Sequence, residues 1–234
     1  MGLVYEYLMF AGKSSEDFNC HISGSGTYLS PTREMESISV PGRNGDLHID
    51  YGKFNNVTII YPAFITERFD ENFGALKAFL LSKKGYHRLA DSYHPDHFRR
   101  ACFTGNISPK MTPRNLAGDF ELSFDCDPRL FLKDGERKKT ITESGIIFNP
   151  TQFVASPLIR LYGSGVLTIG EISIELDTTA EYVDIDCELE EALVAAENLN
   201  ITTEGGKFPK LNPGENDITY TGSKLDIIPR FYTV

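Results

Sequence analysis

The sequence predicts a mainly β protein with one α-helix, divided into two domains. Three observations lead to this expectation. Apolar and polar residues alternate through most of the chain, a single clear stretch has a helical repeat, and a charged, turn-rich run lies past the middle. Alternation with a period of two is typical of strands that have one wet face. The length of 234 residues is sufficient for two domains of ordinary size.

The first half contains three clear runs in which every second residue is apolar. They cover residues 47–51, 57–61 and 120–126. Each is expected to be a strand whose apolar side chains pack on a core and whose polar side chains face water.

One stretch between these runs has a repeat close to 3.6 residues. Its apolar positions are Phe69, Phe73, Leu76 and Leu80. Spacings of four, three and four place these side chains in one stripe, so we expect a helix packed on a sheet. Thr66 is the expected N-cap and Gly85 the residue that ends the helix.

The second half also alternates, with one change of phase and one ambiguous segment. The apolar positions shift at Gly170, which predicts a bulge or a tight turn. Residues 183–189 alternate cleanly and predict a strand. Residues 187–200 are rich in helix formers, and three alternatives stay open: a continued strand, a short helix or a bulged hairpin.

The run KDGERKKT at residues 133–140 has turn residues and charges but no apolar anchor, which favours a domain boundary. We therefore predict an N-terminal β-rich domain with the helix at residues 1–135. The short strands and Gly/Pro turns of residues 136–234 predict a β-sandwich.

Composition excludes several classes of function. The formal charge is −10, from 33 acidic and 23 basic residues, and a surface of this sign argues against holding a nucleic-acid backbone. It is compatible with a surface past which nucleic acid slides. No apolar run approaches the roughly 20 residues that cross a bilayer, and the N-terminus lacks a basic signal region. We therefore expect a protein that is made and kept in a cytoplasm unless it leaves by another route, such as cell lysis.

The candidate reactive groups are sparse. The four cysteines contain no CxxC pair, which argues against a zinc ribbon, and Cys126 and Cys187 lie on apolar positions, so reduced, buried thiols are expected. His94 and His97 flank Pro95 and Asp96; a metal site is one interpretation, and a turn with partly exposed rings is the favoured one, because Pro95 breaks the helix that would align the two rings.

Three carboxylates at alternate positions, Asp184, Asp186 and Glu188, share one strand face in the expected fold. They could bind calcium or form a glycosidase pair, but a solvated face is the favoured interpretation. No GxSxG motif occurs, and the chain has no Trp, the most frequent sugar platform. We therefore predict no catalytic residue, no metal ligand and no cofactor.

The stretch ISVPGRNGDLHID at residues 38–50 raises one further question. Its glycines could cradle a phosphate, but that requires a helix after the loop, and residues 47–51 alternate as a strand. Asn44 and Gly45 form a dipeptide typical of hairpin turns, so a hairpin bend is favoured.

The order of motifs resembles the distal tail proteins (Dit) of siphophages that infect Gram-positive bacteria. No single motif is decisive, and the resemblance extends over nearly the whole chain. The segments that carry it are FAGKSSEDFN, VPGRNGDLHIDYGKFNNVTIIY, DSYHPDHFRRACFTG, GDFELSFDCDPRLFL, SPLIRLYGSGVLTI and KFPKLNPGENDITYTG.

The resemblance implies a fold and an architectural role. In that family an N-terminal β-rich domain forms a homohexameric ring, and a galectin-like β-sandwich projects from it. The ring joins the tail tube to the hub, fibre or lysin protein at the virion tail tip, lets genomic DNA pass, and in some relatives holds receptor-binding proteins. No membrane is involved. The alternative expectation is a carbohydrate- or receptor-binding module of the adsorption apparatus.

A ring needs head-to-tail contacts, and an exposed hairpin could supply them. The hairpin loop is therefore the candidate contact between subunits. Its residues are Pro41, Gly42, Arg43, Asn44 and Gly45.

Overall fold

The computed structural model describes residues 6–24, 28–112, 114, 116–194, 197–198, 201–203 and 206–234. The chain divides into two units, the first comprising Met1–Leu130 with Val234 and the second Phe131–Thr233. The expected mainly β class with one α-helix is confirmed in the described part of the chain.

The described residues of the first unit form ten strands and one α-helix, with a short 3-10 helix at Ser15–Phe18. The strands are β1 (Leu8–Phe10), β2 (Lys13–Ser14), β3 (Cys20–Ile22), β4 (Arg33–Ile38), β5 (Leu47–Phe54), β6 (Val57–Ile65), β7 (His87–Asp91), β8 (His97–Phe103), β9 (Lys110–Met111) and β10 (Gly118–Cys126); the helix is α1 (Phe69–Ser82).

The main sheet of this unit has the order β2-β1-β7-β8-β10-β6-β3, with β9 paired to β10. Its two longest strands, β6 and β10, pair antiparallel from Val57 opposite Cys126 to Ile65 opposite Gly118. Both strands alternate buried and less buried residues along their whole length, as the sequence predicts. One face of the sheet therefore forms the core of the unit.

Helix α1 covers that core face. Phe69, Leu76 and Leu80 are buried and Phe73 is half-buried against them, which confirms the predicted stripe. The expected cap is wrong: Arg68, in the left-handed region at φ 48°, precedes the helix instead of Thr66. The helix ends at Ser82. Gly85, at φ 74°, lies three residues beyond this end and is not the residue that terminates the helix.

The second unit is a sandwich of two antiparallel sheets. The strands of the two sheets are β12 (Lys139–Ile141), β13 (Gly145–Asn149), β14 (Leu158–Tyr162), β15 (Gly165–Ile169), β16 (Ile172–Leu176), β17 (Tyr182–Asp186), β18 (Glu191–Val194), β19 (Glu197–Asn198), β20 (Thr202–Thr203), β21 (Gly214–Tyr220) and β22 (Lys224–Ile228). Two short strands outside these sheets, β11 (Leu130–Leu132, at the division) and β23 (Tyr232–Thr233), pair with each other.

One sheet has the order β12-β22-β14-β17-β18-β19 and the other β13-β21-β15-β16-β20. The alternate apolar residues of both sheets meet in one buried cluster, which includes Ile159, Leu167, Ile185 and Ile218. This arrangement buries one face of each sheet and leaves the other to solvent.

The charged run at residues 133–140, which has no apolar anchor, is held in the second unit by backbone and polar contacts. Asp134–Glu136 form a 3-10 turn in which Gly135 is buried, and its carbonyl accepts a hydrogen bond of 2.8 Å from the Arg230 backbone. Lys138 bonds Asp226 at 3.1 Å. Contacts between residues about 90 positions apart, which no local pattern encodes, fix this segment.

The ambiguous parts of the second half are decided by local backbone geometry. Gly170, at φ 57°, lies in a tight turn between Ile169 and Ile172, which pair directly. After β17 the chain turns, and β18 pairs back on β17 and β19 on β18, which is the hairpin alternative. Leu189 lies in the turn and is exposed, so the alternation ends two residues before it. Residues 195, 196, 199 and 200 lie outside the described residues.

All four cysteines are free; Cys20, Cys126 and Cys187 are buried, and Cys102 is half-buried. Within the described ranges, no helix is both long and apolar enough to cross a membrane.

Candidate assembly interface

Strands β4 and β5 form a two-stranded hairpin that is separate from the main sheet of its unit. Ile38 pairs with Leu47 and Glu36 with Ile49, and the register shifts between Arg33 and Met35 at a bulge. None of the residues from 28 to 56 is buried. A hairpin without a covering layer has little stability of its own in water, so this segment is suited to pack against something outside its chain.

The two faces of the hairpin differ in polarity. Residues directly opposite each other share a face, and the face changes at each position along a strand. One face therefore carries Ile38, Leu47, Ile49 and Tyr51 with Glu36 among them. We call it the apolar hairpin face.

The apolar hairpin face is uncovered. Ile38, Leu47, Ile49 and Tyr51 are exposed by 38%, 41%, 38% and 52%. The expected strand at residues 47–51 and its two-faced pattern are confirmed, but the expectation that these side chains pack on a core is wrong. A set of adjacent exposed apolar side chains on an ordered element is typical of an interaction surface.

Polar contacts between the strands hold the hairpin in one shape. The Tyr51 hydroxyl donates a hydrogen bond of 2.5 Å to Glu36, and this bond to the carboxylate raises the pKa of Tyr51. Arg33 pairs with Asp50 at 3.3 Å. On the opposite face, Ser37 Oγ lies 2.8 Å from His48 Nδ1. Such exposed pairs are individually weak, and together they define the register.

The hairpin loop has a different turn from the one that the sequence favours. The Arg43 amide donates to the Val40 carbonyl at 3.1 Å, which closes a four-residue turn. Pro41 and Gly42 are its central residues, and Gly42 has φ 81°. Proline followed by a glycine of positive φ is typical of a type II turn. The hairpin bend itself is confirmed, whereas Asn44 and Gly45 lie after the tight turn, not at its centre.

The histidine and carboxylate groups that the sequence offered as candidate sites contact other residues of the same chain. His94 lies in a turn beside Asp91, 3.2 Å from Nδ1 to the carboxylate. The Asp184 carboxylate accepts two hydrogen bonds from the Arg160 guanidinium. The Asp186 carboxylate likewise accepts two from the Arg230 guanidinium, at 2.7 and 2.9 Å. Among the residues that the structure describes, no group of three or more His, Cys, Asp or Glu is placed to hold a metal ion.

Two features of the second unit were not found from the sequence. Burial raises the pKa of Asp186, but the hydrogen bonds from Arg230 outweigh it and leave that pKa below its usual value. The Asp226 carboxylate is bound by Thr140, Lys138 and Tyr162. The partners in these pairs are 44 to 88 residues apart, so spacing gives no signal for them.

Solved structures share this architecture over nearly its whole length. The SPP1 Dit (gp 19.1) protein, described as a paradigm of the hub adsorption apparatus in phages that infect Gram-positive bacteria, superposes with a TM-score of 0.72. The match covers 95% of this chain and 97% of that one, at 14% identity. This chain has the fold of a phage Dit protein.

Two structures of a phage P2 baseplate in its activated conformation, one with Ca and one with Sr, are also similar. Their TM-scores are 0.52 and 0.51, both at 10% identity, and the matches cover 96% and 97% of this chain and 98% of each of those chains. No family model and no curated protein matches the sequence. The Dit fold is therefore shown by structure alone.

Proposed function

We propose that this chain is a structural Dit-type protein of a siphophage tail tip, and that six copies form a closed ring through their first units. The observation that carries the proposal is the uncovered apolar hairpin face, present on a chain with the Dit fold. In the proposed ring this face packs on the neighbouring copy.

Burial of the apolar hairpin face against the neighbouring copy would stabilise the ring. Removing Ile38, Leu47, Ile49 and Tyr51 from water is favourable, by roughly 25 cal/mol for each Å² of apolar surface. One copy contributes the hairpin and its neighbour contributes a different surface, so the contact is head-to-tail, and such contacts give a ring when the rotation closes. The loop residues Pro41 to Gly45 are proposed to reach the neighbour as part of the same contact.

The charge of the chain suits a channel for DNA. Six copies with a formal charge of −10 each carry about −60 in total. A wall of this sign repels phosphates, so genomic DNA passes through without being held. The proposed lumen is acidic or neutral, and a lumen lined with arginine and lysine would contradict this part of the proposal.

The proposed partners follow from the position in the virion. On one side the ring meets the tail tube protein, and on the other the hub, fibre or lysin protein. The second unit, proposed to be galectin-like, projects outwards and is the natural place for a receptor-binding protein. The role is architectural and not enzymatic, and it involves no cofactor and no membrane.

The alternative, a carbohydrate-binding module, is less well supported. Sugars stack on open aromatic faces, and the second unit has four tyrosines that could provide them. Arg160 covers the ring of Tyr182 at 4.1 Å and Lys224 that of Tyr162 at 4.3 Å. Tyr220 donates to a backbone carbonyl at 2.7 Å, and Tyr232 stacks on Phe153. Each ring is already in contact with another part of the chain.

The test compares two charge insertions on opposite faces of the hairpin. Ile49→Asp changes the apolar hairpin face, and Met35→Asp makes the same kind of change on the other face, at a similarly exposed residue. The measurements are mass by light scattering and electron microscopy of tails assembled with each variant. We expect rings and complete tail tips with Met35→Asp and neither with Ile49→Asp. Complete tips with Ile49→Asp would contradict the proposal.

A further inference from the structure

The outer face of one sheet in the second unit has a free edge with two exposed apolar side chains. Strand β13 lies at the end of the order β13-β21-β15-β16-β20, and among the described residues β21 is the strand with which it pairs. Ile146 and Phe148 point away from the core, and each is 60% exposed. They flank Ile147, which is buried on the inner face.

The charge around this edge has one sign. Asp217 lies directly opposite Ile146 and Glu215 directly opposite Phe148, so these four side chains share the outer face. Both carboxylates are exposed, and no cation of the described residues lies within ion-pair distance of either. Strands β13, β21, β15 and β16 contain no lysine or arginine.

We propose that the free edge of β13 docks an extended segment of a second protein, in which apolar residues alternate with lysine or arginine. An added strand pairs with the open backbone, and its side chains alternate between the two faces. The basic residues of the segment lie on the outer face, where their aliphatic stems pack beside Ile146 and Phe148 and their charged ends reach towards Glu215 and Asp217. Its apolar residues face the inner side of the sheet. The pattern of the edge thus specifies both the extended shape and the basic charge of its occupant.

Charge disfavours two other occupants. A symmetric contact between two copies of this edge would supply no cation to Glu215 or Asp217 of either copy, whereas a basic segment pairs with both. Nucleic acid would be repelled by the same carboxylates. The inference goes beyond the ring proposed above, because it concerns the second unit and requires no assembly of the first.

The test uses the full chain and two synthetic peptides. One alternates lysine with valine and the other glutamate with valine, each about seven residues long, which is an ordinary strand length. Fluorescence anisotropy at about 50 mM salt limits screening of the charges. We expect the lysine peptide to bind and the glutamate peptide not to bind, with slower hydrogen exchange at residues 145–149 in the complex. Absence of binding, or equal binding of both peptides, would overturn the proposal.

Two variants locate the binding on the edge. Replacing Ile146 and Phe148 with Ser is expected to weaken binding of the lysine peptide at least tenfold, because the aliphatic stems of its lysines lose the two apolar side chains on which they pack. Val166→Ser is the control, since Val166 is exposed on β15 of the same sheet, two strands from the edge. Unchanged binding by the double variant, or an equal loss with the control, would place the site elsewhere.

A charge exchange tests the second half of the inference. Glu215→Lys with Asp217→Lys is expected to reverse the preference, so that the glutamate peptide binds and the lysine peptide does not. Retained preference for the lysine peptide would overturn the role of these carboxylates. Self-association that disappears with the Ile146 and Phe148 changes would show that a second copy occupies the edge, which contradicts the proposal. Each measurement works on monomeric protein, so failure of the ring does not affect it.

Discussion

Ile38 and Leu47 lie directly opposite each other across the β4–β5 hairpin, and both side chains are exposed in the single chain. Their exposure is not a consequence of disorder, because polar contacts on both strands fix the register around them. An ordered hairpin with an uncovered apolar face is suited to packing against a partner. The proposed partner is the neighbouring copy in a ring.

Gly135 is expected to be essential for the stability of the second unit. A Cβ at this position would lie 2.6 Å from the backbone nitrogen of Phe231, a buried residue whose carbonyl accepts a hydrogen bond of 2.9 Å from the Leu132 amide, so the backbone there has little room to move. Gly135→Ala should lower the free energy of unfolding by about 1–3 kcal/mol, as overpacking typically does. Denaturant unfolding of both proteins measures this difference in free energy. Gly145→Ala is the control, because its nearest neighbour is 4.0 Å away, and an equal loss in both variants would contradict the packing argument.

The pair between Arg230 and Asp186 should contribute more to stability than the similar pair between Arg160 and Asp184. The side chains of the first pair are each 15% exposed, whereas those of the second are 41% and 29% exposed. Arg230→Met leaves a largely buried carboxylate without its cation, at a cost of about 3 kcal/mol. Arg160→Met should cost less than about 1 kcal/mol. Thermal or denaturant unfolding measures the stability of each variant. Equal losses of stability in the two variants would contradict the role of burial.

Asp226 should make the free energy of unfolding decrease as the pH falls into the acid range. Burial raises its pKa, but hydrogen bonds from Thr140, Lys138 and Tyr162 outweigh this and leave the pKa below its usual value. The unfolded chain therefore binds a proton at a higher pH than the folded chain. The stabilisation is complete above the usual carboxyl pKa of about 4 and is lost as pH falls through the lowered value.

The variant Asp226→Asn tests this dependence. Its free energy of unfolding should be lower than that of the native chain at neutral pH and should fall less steeply between about pH 5 and pH 3. Urea titrations at several pH values measure the slope. Identical slopes in the two proteins would show that Asp226 contributes nothing to the acid response.

Thiol reactivity should separate Cys102 from the other three cysteines. Burial raises the pKa of Cys20, Cys126 and Cys187 to about 12, so thiolate is nearly absent at neutral pH. Cys102 is half-buried, and its pKa is raised by desolvation and by Asp125. Alkylation of the native protein, followed by mass spectrometry, should label Cys102 first. Faster labelling of any of the other three would contradict the burial.

The sequence allowed the fold class to be predicted because its main signals are local. Alternation identified β6 and β10, and the spacing of Phe69, Leu76 and Leu80 identified the core stripe of α1. The same alternation misled at Leu47 and Ile49, since a period of two shows that a strand has an apolar face but not what covers it. A hairpin facing a partner and a hairpin facing its own core have the same pattern.

The polar network of the second unit could not be predicted, for a different reason. Arg230 and Asp186 are 44 residues apart, and Lys138 and Asp226 are 88 apart. Their pairing depends on which strands become neighbours in the sandwich, and this is a property of the topology. Charged residues at such distances give no signal until the sheet order is known.

Photo-crosslinking from position 49 in assembled tail particles shows directly which chain covers the apolar hairpin face. A photoreactive amino acid replaces Ile49, and mass spectrometry identifies the chain to which it attaches. We expect attachment to a neighbouring copy of this protein, in a ladder of products extending to the six-copy ring. Attachment exclusively to a different protein, or no attachment between copies, would contradict the claim that the apolar hairpin face closes the ring.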